Sequence, residues 1–194
     1  MVLFVNACTR PESRTLPLAK KAAGLLSGEL KQVDLFFEKI PPLDNETLNM
    51  REECISRGDF SDPYFCYVRD FKAADEIIIA APYWDLSFPA VLKCYTEAVC
   101  ISGLTFRYGQ SGIPEGLCKA KRLIYVTTAG GFIPERNFGF DYIRQLCTDF
   151  FGIGNCVMIK AEGLDIIGNN EGKILKGVED KLCTLLGGGD KNGN

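Results

Sequence analysis

Three short segments carry residue types able to hold a phosphate and a flat ring. Asn6-Ala7-Cys8-Thr9-Arg10-Pro11-Glu12-Ser13-Arg14-Thr15 lies between an apolar run and a stretch of helical spacing, so its hydroxyls, guanidiniums and backbone amides fall at a helix N-terminus. Such a terminus attracts anions, because its first amides lack partners and the helix dipole puts partial positive charge there. A terminal phosphomonoester suits it. Pro82-Tyr83-Trp84-Asp85-Leu86 follows Ile77-Ile78-Ile79-Ala80 and supplies an aromatic flank. Thr127-Thr128-Ala129-Gly130-Gly131-Phe132 follows another apolar run, and its paired glycines let backbone approach a ligand that a Cβ would hold off. The first two segments also have a purely structural reading, with Ser13 as a helix N-cap and Tyr83 and Trp84 as packing residues.

Several chemistries are excluded by what the chain lacks. It has no histidine, which removes the serine and cysteine hydrolase triads, histidine zinc sites and the commonest general base. The first loop matches neither GxGxxG nor GxxxxGK[ST], which argues against a glycine-clamped dinucleotide and against nucleotide hydrolysis. Nine cysteines occur without a CxxC pair, so reduced thiols are expected rather than disulfides or a metal site. A net charge of −3 leaves no footprint for nucleic acid or an anionic membrane, and small metabolite-type ligands are expected. No apolar run reaches the roughly 20 residues needed to span a bilayer, and Met1 to Asn6 lacks the pattern of a secretion signal. A cytoplasmic location is expected.

The elements that must position these loops alternate along the chain. Val2–Asn6, Val33–Phe36, Ile77–Ala80, Arg122–Thr128 and Val157–Glu162 read as strands. Leu16–Leu30, Glu46–Arg57, Pro63–Lys72, Pro89–Cys100, Asp141–Phe151 and Glu171–Leu186 read as helices, with Asp62 capping the helix that Pro63 begins. Leu104–Tyr108 and the turn residues up to Pro114 read as a short excursion. Unalternated Ile77-Ile78-Ile79 marks a strand covered on both faces, as in parallel sheets. The pattern predicts one α/β domain over residues 1–186, a flavodoxin-like three-layer arrangement with a five-stranded parallel sheet of order 2-1-3-4-5. Residues 187–194 are expected to form a disordered tail.

That order sets the loops after strands one, three and four side by side, giving a phosphate anchor, an aromatic flank and a close-approach backbone. The combination fits flavin mononucleotide (FMN). Here the chain resembles the FMN-dependent NADH:quinone oxidoreductases usually called azoreductases. The resemblance is carried by Ala80 to Lys93, by Gly103-Leu104-Thr105-Phe106-Arg107-Tyr108 with Gly112 to Leu117, by Thr127 to Gly131, and by Tyr142-Ile143-Arg144 with Phe151-Gly152-Ile153 and Ala161 to Leu164. It implies that Ser13, Arg14 and Thr15 hold the phosphate, that Tyr83 to Leu86 flank the ring, and that Thr128 to Gly131 meet its pyrimidine side. With Thr9, Arg10 and Pro82 from the same loops, these are the candidate cofactor contacts. No side chain is assigned as catalytic, because the chemistry rests on flavin N5, and none as a metal ligand.

The resemblance further implies a homodimer and a ping-pong reaction, in which NADH or NADPH reduces FMN and a quinone, azo compound or similar flat acceptor reoxidises it. Two departures from the family stand out: Asp85 where asparagine is common, and a shorter first loop with Cys8, Thr9 and Arg10 in place of a serine-rich run. An ionised Asp85 beside a flavin would lower its reduction potential. A flavodoxin-type electron carrier and a flavin-free binding module on the same fold are the competing expectations.

Overall fold

The structure, a computed structural model, describes residues 1–186, so the tail expected over 187–194 lies outside the described residues. The chain runs β1 (Val2–Asn6), α1 (Thr15–Gly24), β2 (Leu30–Asp34), a one-turn α2 (Leu35–Glu38) and α3 (Asn45–Arg57). A 3-10 turn at Pro63–Phe65 leads into α4 (Cys66–Ala73), β3 (Glu76–Ala80) and α5 (Ala90–Val99). A small antiparallel hairpin follows, β4 (Phe106–Tyr108) with β5 (Pro114–Gly116), and is the predicted excursion. Then come β6 (Arg122–Thr128), α6 (Phe140–Leu146) ending in a π-helical turn, β7 (Cys156–Ala161) and α7 (Glu171–Leu186).

The five parallel strands order as β2-β1-β3-β6-β7, which is 2-1-3-4-5 once the hairpin is set aside. Because strand side chains alternate faces, each central strand feeds two cores. Leu3, Val5, Ile77, Ile79, Leu123 and Tyr125 face α4, α5 and α6, whereas Val2, Phe4, Ile78, Ile124 and Val126 face α1 and α7. Full burial of each such side chain is worth about 1.5–3 kcal/mol, so the unalternated apolar strands are what fix the sheet. The sequence-predicted cap is present, Asp62 accepting from the Tyr64 amide at 2.8 Å, with Pro63 opening the turn behind it.

The second strand and the first helix differ from expectation. α1 stops at Gly24 instead of reaching Leu30, the chain turns at Gly28 (φ +116°), and β2 occupies Leu30–Asp34 rather than Val33–Phe36. β2 is an edge strand whose first three residues are exposed, so only Val33 shows the apolar signature that marks the buried strands. The structure also turns Leu35 and Phe36 into the short α2.

Candidate functional site

At the carboxyl edge of the sheet the hydrogen-bond ladder continues past the strand ends. Ala7 donates to the Ala80 carbonyl, Ala81 to Val126, Tyr83 to Thr128 and Ala129 to Ala161, all at 2.8–3.0 Å. The loops after β1, β3, β6 and β7 therefore leave the sheet together and enclose one cleft of about 240 Å³. It lies at the switch point between β1 and β3, where this fold class places its ligands.

Thr9, Arg10, Ser13, Arg14, Thr15, Pro82, Tyr83, Trp84, Thr128, Ala129 and Gly130 line this cleft. Asp85, Leu86 and Gly131 do not. Glu12 and Asp165 line it in addition, and neither was anticipated. Asp165 could have been found: it follows the fifth strand, whose loop must open onto the same edge as that of the fourth.

At one end the cleft is walled by the start of α1. This helix begins at Thr15 with no side-chain cap and no acid in its first turn, and Pro17 sits where its missing amide costs nothing. Ser13 Oγ makes only a long contact with the Leu16 amide, 3.4 Å. The Thr15 hydroxyl, in contrast, is buried and hydrogen bonded to that of Thr128 at 2.7 Å, so it ties α1 to β6. Beneath the loop, the Cys8 amide donates to Asn6 Oδ1 at 3.0 Å, and Asn6 Nδ2 donates to Asp34. Burial pushes the Cys8 thiol up, and its Sγ lies 3.7 Å from the Ala80 carbonyl, to which it donates. Arg14 forks onto Asp165, Nη1 to Oδ1 at 2.7 Å and Nη2 to Oδ2 at 3.2 Å. This hydrogen-bonded pair raises the Arg14 pKa and lowers that of Asp165.

The other end is the aromatic turn. Trp84 and Ser87 exchange backbone hydrogen bonds at 3.1 and 2.7 Å across Asp85 and Leu86, whose φ angles are +49° and +65°. Two positive φ values at the centre of a two-residue turn are the type I′ pattern, which favours asparagine or aspartate at the first position. Position 85 is thus explained by turn geometry, and its carboxylate stands exposed at the apex. Ser87 Oγ donates to the Phe138 carbonyl and the Phe138 amide to that of Leu86, so the loop after β6 braces the turn.

The donor set suits a phosphorylated flavin: uncapped amides and two guanidiniums at one end, Tyr83 and Trp84 at the other. The glycine pair behaves differently from expectation. A Cβ at Gly130 would come within 2.1 Å of Asp165 Oδ2, so the space it leaves is filled by Asp165, while Gly131 faces open space.

A profile described as flavodoxin-like fold matches residues 1–185. An FMN-dependent NADH:quinone oxidoreductase 2 of Clostridium acetobutylicum is 33% identical over 193 residues, covering 93% of this chain and 94% of that protein. The FMN-dependent NADH:quinone oxidoreductase of Clostridium beijerinckii is 33% identical over 191 residues with the same coverage. Among solved structures, an azoreductase from Bacillus anthracis superposes with a TM-score of 0.83 at 22% identity, over 96% of this chain and 98% of that one, a likeness of fold. With its matches extending along nearly the whole length of both partners, the chain belongs to the FMN-dependent NADH:quinone oxidoreductase family, on the flavodoxin-like fold.

Proposed function

We propose that the protein is an FMN-dependent NAD(P)H:quinone oxidoreductase whose FMN lies in the cleft at the carboxyl edge of the sheet. One observation carries this reading: the uncapped N-terminus of α1, with Arg10 and Arg14, shares a single cleft with the Tyr83-Trp84 flank. When bound, FMN accepts two electrons from the nicotinamide and passes them to a quinone, azo compound or similar flat aromatic acceptor.

The residues bind and orient. The amides and guanidiniums at α1 take the phosphate; Pro82, Tyr83 and Trp84 fix the ring plane; Thr128 and Ala129 present backbone groups to its polar edge. Asp85 and Leu86 act through the turn they build. Ionisable groups of the usual catalytic kind are not needed, which suits a chain without histidine. NADH is the donor named for the relatives, and donor and acceptor use one face in turn, a ping-pong order. Trp84, Leu86, Phe132 and Phe138 are exposed, Phe132 by 72%, and a second copy of the chain is the proposed cover. The free thiols go with a cytoplasmic location.

The test mixes FMN-loaded protein with NADH or NADPH without oxygen and follows flavin absorbance. Rapid bleaching, recovery on adding a quinone or azo dye, and parallel double-reciprocal lines are expected. Protein that takes up no FMN ends the proposal, and protein reduced only through a separate reductase is a carrier.

A further inference from the structure

Asp165 lies in the cleft, yet its charge opposes what a phosphate site needs. Its carboxylate occupies both Nη atoms of Arg14, and Glu171 stands 3.9 Å from Nη1. The backbone fixes this placement: the Asp165 amide donates to the Gly130 carbonyl at 2.9 Å, and the preceding Leu164 amide to Ala129 at 3.3 Å. The side chain then fills the space that a Cβ at Gly130 would take. The cleft lining carries two cations, Arg10 and Arg14, and two anions, Glu12 and Asp165, of which Arg14 and Asp165 form an ion pair. A phosphate arriving at α1 therefore finds its best-placed bidentate donor already engaged.

We propose that Asp165 is an internal anion that competes with the FMN phosphate for Arg14, and so sets how strongly the site prefers a phosphorylated over an unphosphorylated flavin. The inference rests on the cleft being the flavin site. To hold the phosphate, the Arg14 fork must open or be shared, and the released carboxylate then stands beside a dianion. Both effects act on the phosphate through Arg14. The two side chains are 31% and 66% exposed, so solvent screens the competition and it amounts to about two- to fivefold in affinity.

Asp165→Asn keeps the size that fits against Gly130 and removes the charge. The apoprotein is titrated with FMN and, separately, with riboflavin, following the quenching of flavin fluorescence, so no turnover enters. FMN should bind about two- to fivefold tighter to the variant, with riboflavin binding unchanged. Arg14→Gln should weaken FMN and spare riboflavin, and the gain from Asp165→Asn should shrink in that background. Weaker FMN binding by Asp165→Asn would mean that Asp165 orients Arg14, and an equal shift for both flavins would place its effect on the ring; either overturns the inference. So does an unchanged FMN affinity in protein that binds both flavins. Wild-type protein that binds neither flavin overturns the flavin site itself, and this inference with it.

Discussion

At the α1 end of the cleft, side chains are matched to one another; at the Pro82–Ser87 end, the backbone is bent and only Ser87 pairs its side chain, with the Phe138 carbonyl, among the described residues. Thr15 pairs with Thr128, Asn6 with Asp34 and Arg14 with Asp165. At the aromatic end Asp85 and Leu86 hold left-handed backbone, Leu86 is 55% exposed, and the buried hydroxyls of Tyr83 and Tyr125 have no partner among the described residues. The difference follows from what each end must recognise. An anion needs donors held at fixed positions, whereas a flat ring needs an open apolar surface whose outline the backbone draws.

The two ends hang on opposite faces of β3, which gives the strongest way to separate them. Ile78 packs toward α1 and Ile79 toward α5, both buried. Truncating either to alanine should cost about 2–5 kcal/mol, read by urea unfolding. Amide exchange should then divide the pair, Ile78→Ala loosening α1 and Ile79→Ala loosening α5. Equal loosening of both helices by both variants would mean that the ends share one support.

Within the α1 end, matching itself can be broken. Thr15→Val keeps the shape but strands the buried Thr128 hydroxyl, at about 1–3 kcal/mol. Adding Thr128→Val should restore much of that loss, because no polar group then remains unpaired. A double variant as unstable as the sum of the singles would show that the hydroxyls are not partners.

The contrast also explains what could be read in advance. Buried parallel strands announce themselves, because Ile77-Ile78-Ile79 and Leu123-Ile124 have both faces covered and show no polar alternation. Edge strand β2 has one neighbour and exposed Leu30, Lys31 and Gln32, so Leu30 reads as the end of a helix and only Val33 and Asp34 fall within the predicted strand. The three loops were legible from strand order, and most of their residues line one cleft. What was hidden depends on distance in space. Asp165 meets Arg14 across 151 residues, and Gly130 is glycine because of a carboxylate that no local pattern reveals.

At the aromatic end, Leu86→Gly should stabilise the fold. Left-handed backbone costs an L-residue about 1–2 kcal/mol, and the added flexibility of glycine in the unfolded chain takes back about 0.5–1. A net gain of about 0.5–1 kcal/mol is expected, raising Tm by a few degrees in a thermal melt. No change in Tm would show that the turn carries no strain to release.

The smallest effect is the sharpest. Asp85→Asn replaces one turn former by another, so stability should stay within about 0.5 kcal/mol of wild type. Its carboxylate stands at the turn apex, outside the cleft lining, so the midpoint potential of the bound flavin is expected to stay where it is. A charge acting on the ring would instead raise the potential when neutralised, because the reduced flavin would lose a repulsive neighbour. Spectroelectrochemical titration of the two proteins therefore decides between a residue selected by its backbone and one selected by its charge. An upward shift would give the aromatic end an electrostatic role and weaken the contrast with α1, whereas an unchanged potential leaves Asp85 as backbone chemistry alone.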